Sequence, residues 1–162
     1  MTDATSDMAR VVPELLVSDH ARSLAFYVGV LGFRRLYGRD EEGFSFLDLD
    51  GAQVMIEELD PAGRNWVAGP LEPPFGRGMN LEIGCADARA LRDRVLLAGL
   101  PLFLPLEEKW YRRDAVEIGV RQFIVQDPDG YLLRLSEDVG ARPLGSGIPP
   151  QRGCHGAASN VS

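Results

Sequence analysis

Residues 17–33 (VSDHARSLAFYVGVLGF) and 85–103 (CADARALRDRVLLAGLPLF) are two versions of one segment. Asp19 aligns with Asp87, Ala21-Arg22 with Ala88-Arg89, Leu24 with Leu91 and Gly32 with Gly99. An internal repeat decides the architecture before any single element is read, because each copy is one supersecondary unit. The surrounding sequence can then be read twice, each copy checking the other.

Each copy opens with a short apolar stretch, VVPELLVS (11–18) and MNLEIGC (79–85), of strand length and composition. An Asp follows as N-cap, its carboxylate accepting from unpaired backbone N–H groups. Leu24, Tyr27, Val28 and Leu31 form the i, i+3, i+4, i+7 stripe of a helix buried on one face, and Leu91, Val95 and Ala98 form a sparser one. Gly32 and Gly99 stand where a glycine ends each helix. Three strand-like segments come next: 34–38, 44–49 and 53–59 in copy one, and 102–107, 120–126 and 131–137 in copy two. Asp50-Gly51 is a hairpin signal. Asp127-Pro128-Asp129-Gly130 fits a type I turn, with Pro at i+1 and Gly at i+3.

The expected fold is therefore α+β, with tandem βαβββ modules. Module one spans 10–60, a Gly- and Pro-dense linker 61–77, and module two 78–139. Residues 1–9 and the Gly/Pro/Ser/Ala-rich tail 140–162 cannot bury enough apolar surface to offset ordering entropy and are expected to be disordered, which removes Cys154 and His155 from the chemistry. Of the 162 residues, 17 are Lys or Arg and 24 Asp or Glu, a net charge of −7. That balance argues against a nucleic-acid partner and suits solubility or a cationic small ligand. No apolar run reaches membrane-spanning length and no leader pattern opens the chain, so a cytoplasmic location is expected. Cys85 lies in an apolar stretch with no nearby His and reads as an inert small hydrophobe. Phosphate loops, Ser/His/Asp sets and CxxC pairs are absent.

With these residues in place, the chain resembles the vicinal oxygen chelate superfamily, which includes glyoxalase I, extradiol dioxygenases and bleomycin resistance proteins. The resemblance is carried by Val17-Ser18-Asp19, Arg22-Ser23-Leu24-Ala25-Phe26-Tyr27, Val30-Leu31-Gly32-Phe33 and Asp127-Pro128-Asp129-Gly130-Tyr131 after Phe123-Ile124-Val125. It implies curved mixed sheets around a cavity. In the metal enzymes of the superfamily four inward strand positions hold the ligands; here they correspond to Val12, Glu57, Asn80 and Arg134. Val12 has no lone pair, Asn80 is a weak ligand and Arg134 repels a cation. No metal and no cofactor are therefore expected. The opening Val12-Pro13-x-Leu15 and the segment Glu117-Ile118-Gly119-x-Arg121-Gln122-Phe123 are similar to the bleomycin resistance branch. That branch consists of non-enzymatic homodimers that sequester cationic glycopeptide antibiotics and commonly exchange the first strand. Pro13 within strand one fits an edge or exchanged strand.

Period-2 alternation then places Glu14 with Val12, Met55 with Glu57, Glu82 with Asn80, and Leu132 and Ser136 with Arg134. Such a wall is either a wet anionic cleft for a cation, or Glu57 and Arg134 pair structurally while Glu14 is solvated. Phe44 and Phe46 alternate in strand three. Trp66, Trp110 and Tyr111 fall in or near polar loops, where Trp reads as a ligand platform or interface anchor able to stack on flat rings and attract a cation. The expected ligand set is Glu14, Phe44, Phe46, Glu57, Trp66, Asn80, Glu82, Trp110, Tyr111, Arg121, Phe123 and Arg134. The expected function is non-enzymatic sequestration of a cationic bleomycin-type antibiotic by a homodimer without membrane or nucleic-acid partners. The alternatives are a metal-dependent or metal-independent lyase, isomerase or dioxygenase of the same fold, with Glu57 as base or residual ligand, and a binding protein for another small molecule.

Overall fold

A computed structural model gives the fold of residues 8–146. In chain order the elements are β1 (Glu14–Val17), α1 (His20–Leu24) continued by a π-helical segment (Ala25–Leu31), β2 (Arg34–Arg39), β3 (Phe44–Leu49), β4 (Ala52–Glu58), β5 (Asn80–Gly84), α2 (Ala88–Leu97), β6 (Leu102–Arg113), β7 (Val116–Gln126) and β8 (Leu132–Pro143). A 3-10 turn spans Asp40–Glu42. The strands form two sheets of the same topology, β1-β4-β3-β2 and β5-β8-β7-β6. In each, the first strand runs parallel to the last and the other pairs are antiparallel. The βαβββ repeat is thus realised twice. No helix among the described residues is long and apolar enough to cross a membrane.

The capping chemistry repeats with the topology. Asp19 accepts from the Arg22 N–H at 2.8 Å and Asp87 from the Ala90 N–H at 2.9 Å. The first helical N–H of each module is met by a Glu from that module's own last strand: His20 N donates to Glu58 Oε2 at 2.8 Å, and Ala88 N to Glu137 Oε2 at 2.9 Å. Gly32 closes the first helix in the left-handed region, φ 86°.

The helices cover one face of each sheet, and the two covered faces merge into one core. Leu15, Val17, Leu47, Val54 and Ile56 come from sheet one, Ile83, Phe123, Val125, Leu133 and Leu135 from sheet two, and Phe26, Tyr27, Leu31, Leu91 and Val95 from the helices. Each such side chain stabilises the fold by about 1.5–3 kcal/mol.

The two modules are joined through the Asp127–Gly130 turn. Asp127 Oδ1 accepts from Asp129 N and Tyr131 N, and Gly130 N closes the turn on the Asp127 carbonyl. These are the bonds the turn motif implies. The same residues also grip module one. Tyr27 Oη donates to Asp127 Oδ2 at 3.0 Å, Tyr131 Oη to the Leu16 carbonyl at 3.0 Å, and Ser18 N to Asp129 Oδ2 at 3.0 Å. Arg22 reaches Asp129 from the rim at 3.2 Å. Burial pushes Tyr27 well above the ordinary phenol range, and pushes Tyr131, beside Asp127 and Asp129, up to about 12. Asp127 is also raised, by burial first, against the lowering effect of its hydrogen bonds.

Several sequence expectations are corrected. Phe26 is buried and Val28 is 38% exposed, because the π-helical winding shifts the inward stripe off the 3.6-residue period. Module two's strands are longer than expected. β6 continues to Arg113, β7 begins at Val116, and β8 runs to Pro143, so Gly140 to Pro143 belong to a strand rather than to the tail. Pro13 lies just before β1 rather than within it, while β1 is, as expected, an edge strand, beside β4. Expectations for residues 1–7 and 147–162, Cys154 and His155 included, fall outside the described residues.

Candidate functional site

Alternation along each strand gives each sheet a second face, free of helix. In sheet one the ladder register arranges that face in two rows. One runs Glu14–Met55–Phe46–Tyr37 and the other Leu16–Glu57–Phe44–Arg39. Leu16, Phe44 and Phe46 are buried yet stand outside the helix-packed core. The Tyr37 ring lies over Phe46 in a near-parallel stack, centroids 5.1 Å apart at 17°, and is 48% exposed on its other side. The Arg39 guanidinium sits 4.0 Å above Phe44. Glu14 and Glu57 project from adjacent strands beside these rings. The Glu14 carboxyl titrates above its usual range, through partial burial first and then its hydrogen bond to and repulsion by Glu57, with Arg39 opposing. Two carboxylates that repel each other gain when a cation comes to lie between them.

The corresponding face of sheet two is polar and differently arranged. Its rows run Glu82–Arg134–Ile124–Leu104 and Gly84–Ser136–Gln122–Glu107. Arg134 pairs with Glu82, not with Glu57. Gln122 is 3% exposed and donates from Nε2 to Glu107 Oε1 at 3.0 Å and to Tyr111 Oη at 2.9 Å.

The expected site residues therefore separate into groups. Glu14, Phe44, Phe46 and Glu57 share the helix-free face of sheet one. Asn80, Glu82, Tyr111 and Arg134 share that of sheet two. Phe123 does not: it is fully buried in the helix-packed core, where its parity places it. Trp110 and Tyr111 are not in a loop but in β6, and alternation sends them to opposite faces. Trp110 stacks under Arg142, centroid to guanidinium 4.0 Å, on the side that carries Arg121. Arg121 is held there by Glu137 and Glu108. Trp66 lies in the linker, 73% exposed, with Arg64 4.3 Å from its ring. Tyr37, Arg39, Gln122 and Glu107 were missed. Tyr37 and Gln122 could have been found from the cross-strand partners of Phe46 and Ser136, had the register been known.

Nucleophilic and metal chemistry find little footing here. His20 Nε2 lies 2.8 Å from Ser45 Oγ, but Ser45 is wholly buried. Burial, with Glu137 and Asp87 nearby, pushes the Cys85 thiol up to about 11, so the nucleophilic thiolate is suppressed. Among the described residues no three His, Cys, Asp or Glu side chains converge as a metal site. Of the positions where the resemblance would put ligands, Arg134 is committed to Glu82 and Val12 offers no donor, so the residues present do not fit a metal.

Comparison with known proteins agrees with this architecture. The family model described as "Glyoxalase/Bleomycin resistance protein/Dioxygenase superfamily" matches residues 8–135. Among solved structures, a glyoxalase/bleomycin resistance protein/dioxygenase superfamily member from Vibrio splendidus 12B01 is 40% identical, covering 80% of this chain and 98% of that one, with a TM-score of 0.36. TioX from Micromonospora sp. ML1 is 24% identical over 80% and 98% of the two chains, with a TM-score of 0.60. A lactoylglutathione lyase from Agrobacterium tumefaciens is 14% identical over 80% and 93%, with a TM-score of 0.54. The last two share the fold. No curated protein matches the chain.

Proposed function

The chain belongs to the glyoxalase/bleomycin resistance protein/dioxygenase superfamily, and on that premise we propose that it is a non-enzymatic protein that sequesters a cationic, flat-ringed small molecule of the bleomycin type, acting in the cytoplasm as a homodimer. One observation carries the reading: the half-exposed Tyr37 ring stacked on Phe46, on the same sheet face as the Glu14–Glu57 carboxylate pair. The exposed aromatic face offers offset stacking to a planar heteroaromatic ring, worth about 0.5–1.5 kcal/mol beyond burial. The carboxylates draw a positive charge to that face, and a cation arriving there relieves the repulsion between them. The net charge of −7 steers such a ligand toward the protein.

The test is isothermal titration of metal-free and copper-loaded bleomycin into the purified protein, with elemental analysis alongside. Binding of about one ligand per subunit to protein that carries no metal supports sequestration. Absence of heat with both forms turns the reading toward another small molecule. A stoichiometric metal accompanied by turnover turns it toward an enzyme.

A further inference from the structure

The helix-free face of sheet two holds two buried polar atoms that lack hydrogen-bond partners among the described residues: Arg134 Nε and Gln122 Oε1. Their orientation is fixed. The Glu107 carboxylate can only accept, so the Gln122 amide must turn Nε2 toward it and Oε1 away. The Arg134 guanidinium is anchored by Glu82 through Nη2, and its buried Nε has no partner among the described residues. Gln122 pairs with Ser136, and Arg134 stands two residues before Ser136 on β8. The two groups are therefore diagonal neighbours, about 7–8 Å apart at Cα.

One donor and one acceptor on neighbouring side chains select among ligand groups. A carboxylate would satisfy Arg134 but has no N–H for Gln122. An ammonium would satisfy Gln122 but is repelled by Arg134. A trans amide carries a C=O acceptor and an N–H donor that point in opposite directions, so one group can serve both. Room for it exists beside the pair. Gly84 shares the row of Ser136 and Gln122, a side chain added there would meet nothing within 4 Å, and its backbone lies outside the left-handed region. Glycine within a strand often marks such a close approach by a ligand.

We infer that Arg134 and Gln122, beside the open position at Gly84, form a subsite for a neutral amide of the ligand, its C=O accepting from Arg134 Nε and its N–H donating to Gln122 Oε1. The inference rests on the reading of the helix-free faces as ligand walls. Of the side chains bonded to the two groups, Tyr111 and Glu82 are 46% and 49% exposed, so the pair lies next to solvent.

The test is a heteronuclear NMR titration of the 15N-labelled full chain with N-methylacetamide, and with methyl acetate, which matches its shape but lacks the N–H. N-methylacetamide is expected to shift the Gln122 side-chain amide and the Gly84 backbone amide saturably. Methyl acetate should bind about tenfold more weakly, because it leaves the buried Gln122 acceptor unpaired. Gly84→Leu fills the open position on an edge strand without backbone strain and should abolish both shifts while the rest of the spectrum stays put. An equal response to the two probes, or an undiminished response in Gly84→Leu, overturns the inference. Bleomycin separates this outcome from the broader reading. If it binds Gly84→Leu as tightly as the unaltered protein, the subsite falls and sequestration stands. If it fails to bind while N-methylacetamide binds as described, sequestration falls and the subsite stands.

Discussion

The Tyr27 hydroxyl and the Asp127 carboxylate, 100 residues apart in sequence, meet at 3.0 Å inside the core and tie the first helix to the second module's turn. Tyr27→Phe removes the donor and keeps the ring packed. The expected cost is about 1–3 kcal/mol, the penalty for a buried acceptor deprived of its partner. The pH dependence has a definite sign. Asp127 titrates above the usual range in the folded protein, so its contribution favours folding below the unfolded value of about 3.9 and is lost as pH rises through the folded value. Tyr27 tempers that loss by stabilising the charged form. The deficit of Tyr27→Phe should therefore be small in acid and grow as Asp127 ionises. Urea unfolding curves of both proteins across that range check it, and a deficit independent of pH would count against the pairing.

Glu14→Gln should behave in the opposite sense. Glu14 is raised by burial and by Glu57, so ionising it opposes folding, and the amide removes that opposition. At neutral pH the variant should be slightly more stable, by at most about 0.5 kcal/mol because the pair is largely solvated. The gain should vanish below the usual carboxylate range, where the native Glu14 is protonated. In calorimetry the same variant should bind a cationic ring more weakly.

Tyr37→Ala separates binding from folding. The ring is half exposed and lies on an edge strand, so unfolding should shift by under about 1 kcal/mol, while affinity for a planar cationic ligand should fall by about tenfold as the stack on Phe46 is lost. Unchanged affinity would remove the aromatic platform from the site.

The two tryptophans should part company. Trp110 packs under Arg142 and against Gly119, where an added Cβ would come within 2.8 Å of the indole. Trp110→Ala should cost about 1.5–3 kcal/mol in stability through lost apolar burial and leave ligand affinity unchanged. Trp66→Ala, at a mostly exposed linker position, should change stability by under about 1 kcal/mol. Thermal unfolding paired with ligand titration reads both, and a loss of affinity in Trp110→Ala would return that residue to the site.

The fold was legible because its signals are local and doubled. Asp19 and Asp87, Gly32 and Gly99, and the Asp127–Gly130 turn announce the same elements in each copy. What escaped was parity. A bulge around Leu36 lets Arg35 face Leu47 while Tyr37 faces Phe46, so Tyr37 joins Arg34 on one face, which strict alternation forbids. The run after Glu107, with Trp110 and Tyr111, read as a polar loop. It is strand because cross-strand partners such as Arg121 for Glu108 and Gln122 for Glu107 supply what apolar burial does not. Arg134 was visible as a charge on the right face, but its partner, Glu82 rather than Glu57, depends on β5 lying beside β8 in register.

Glu58 and Glu137 each hold down the helix of the module that carries them. Each half of the chain therefore completes its own scaffold on the helix-covered side, and neither half needs the opposite face of its sheet to stay closed. That face is left open to substitution in both halves independently. One half has filled it with stacked rings and a carboxylate pair, the other with an amide clamped between an acid and a phenol. A duplicated scaffold thus carries two chemically unlike faces, each free to change without the other.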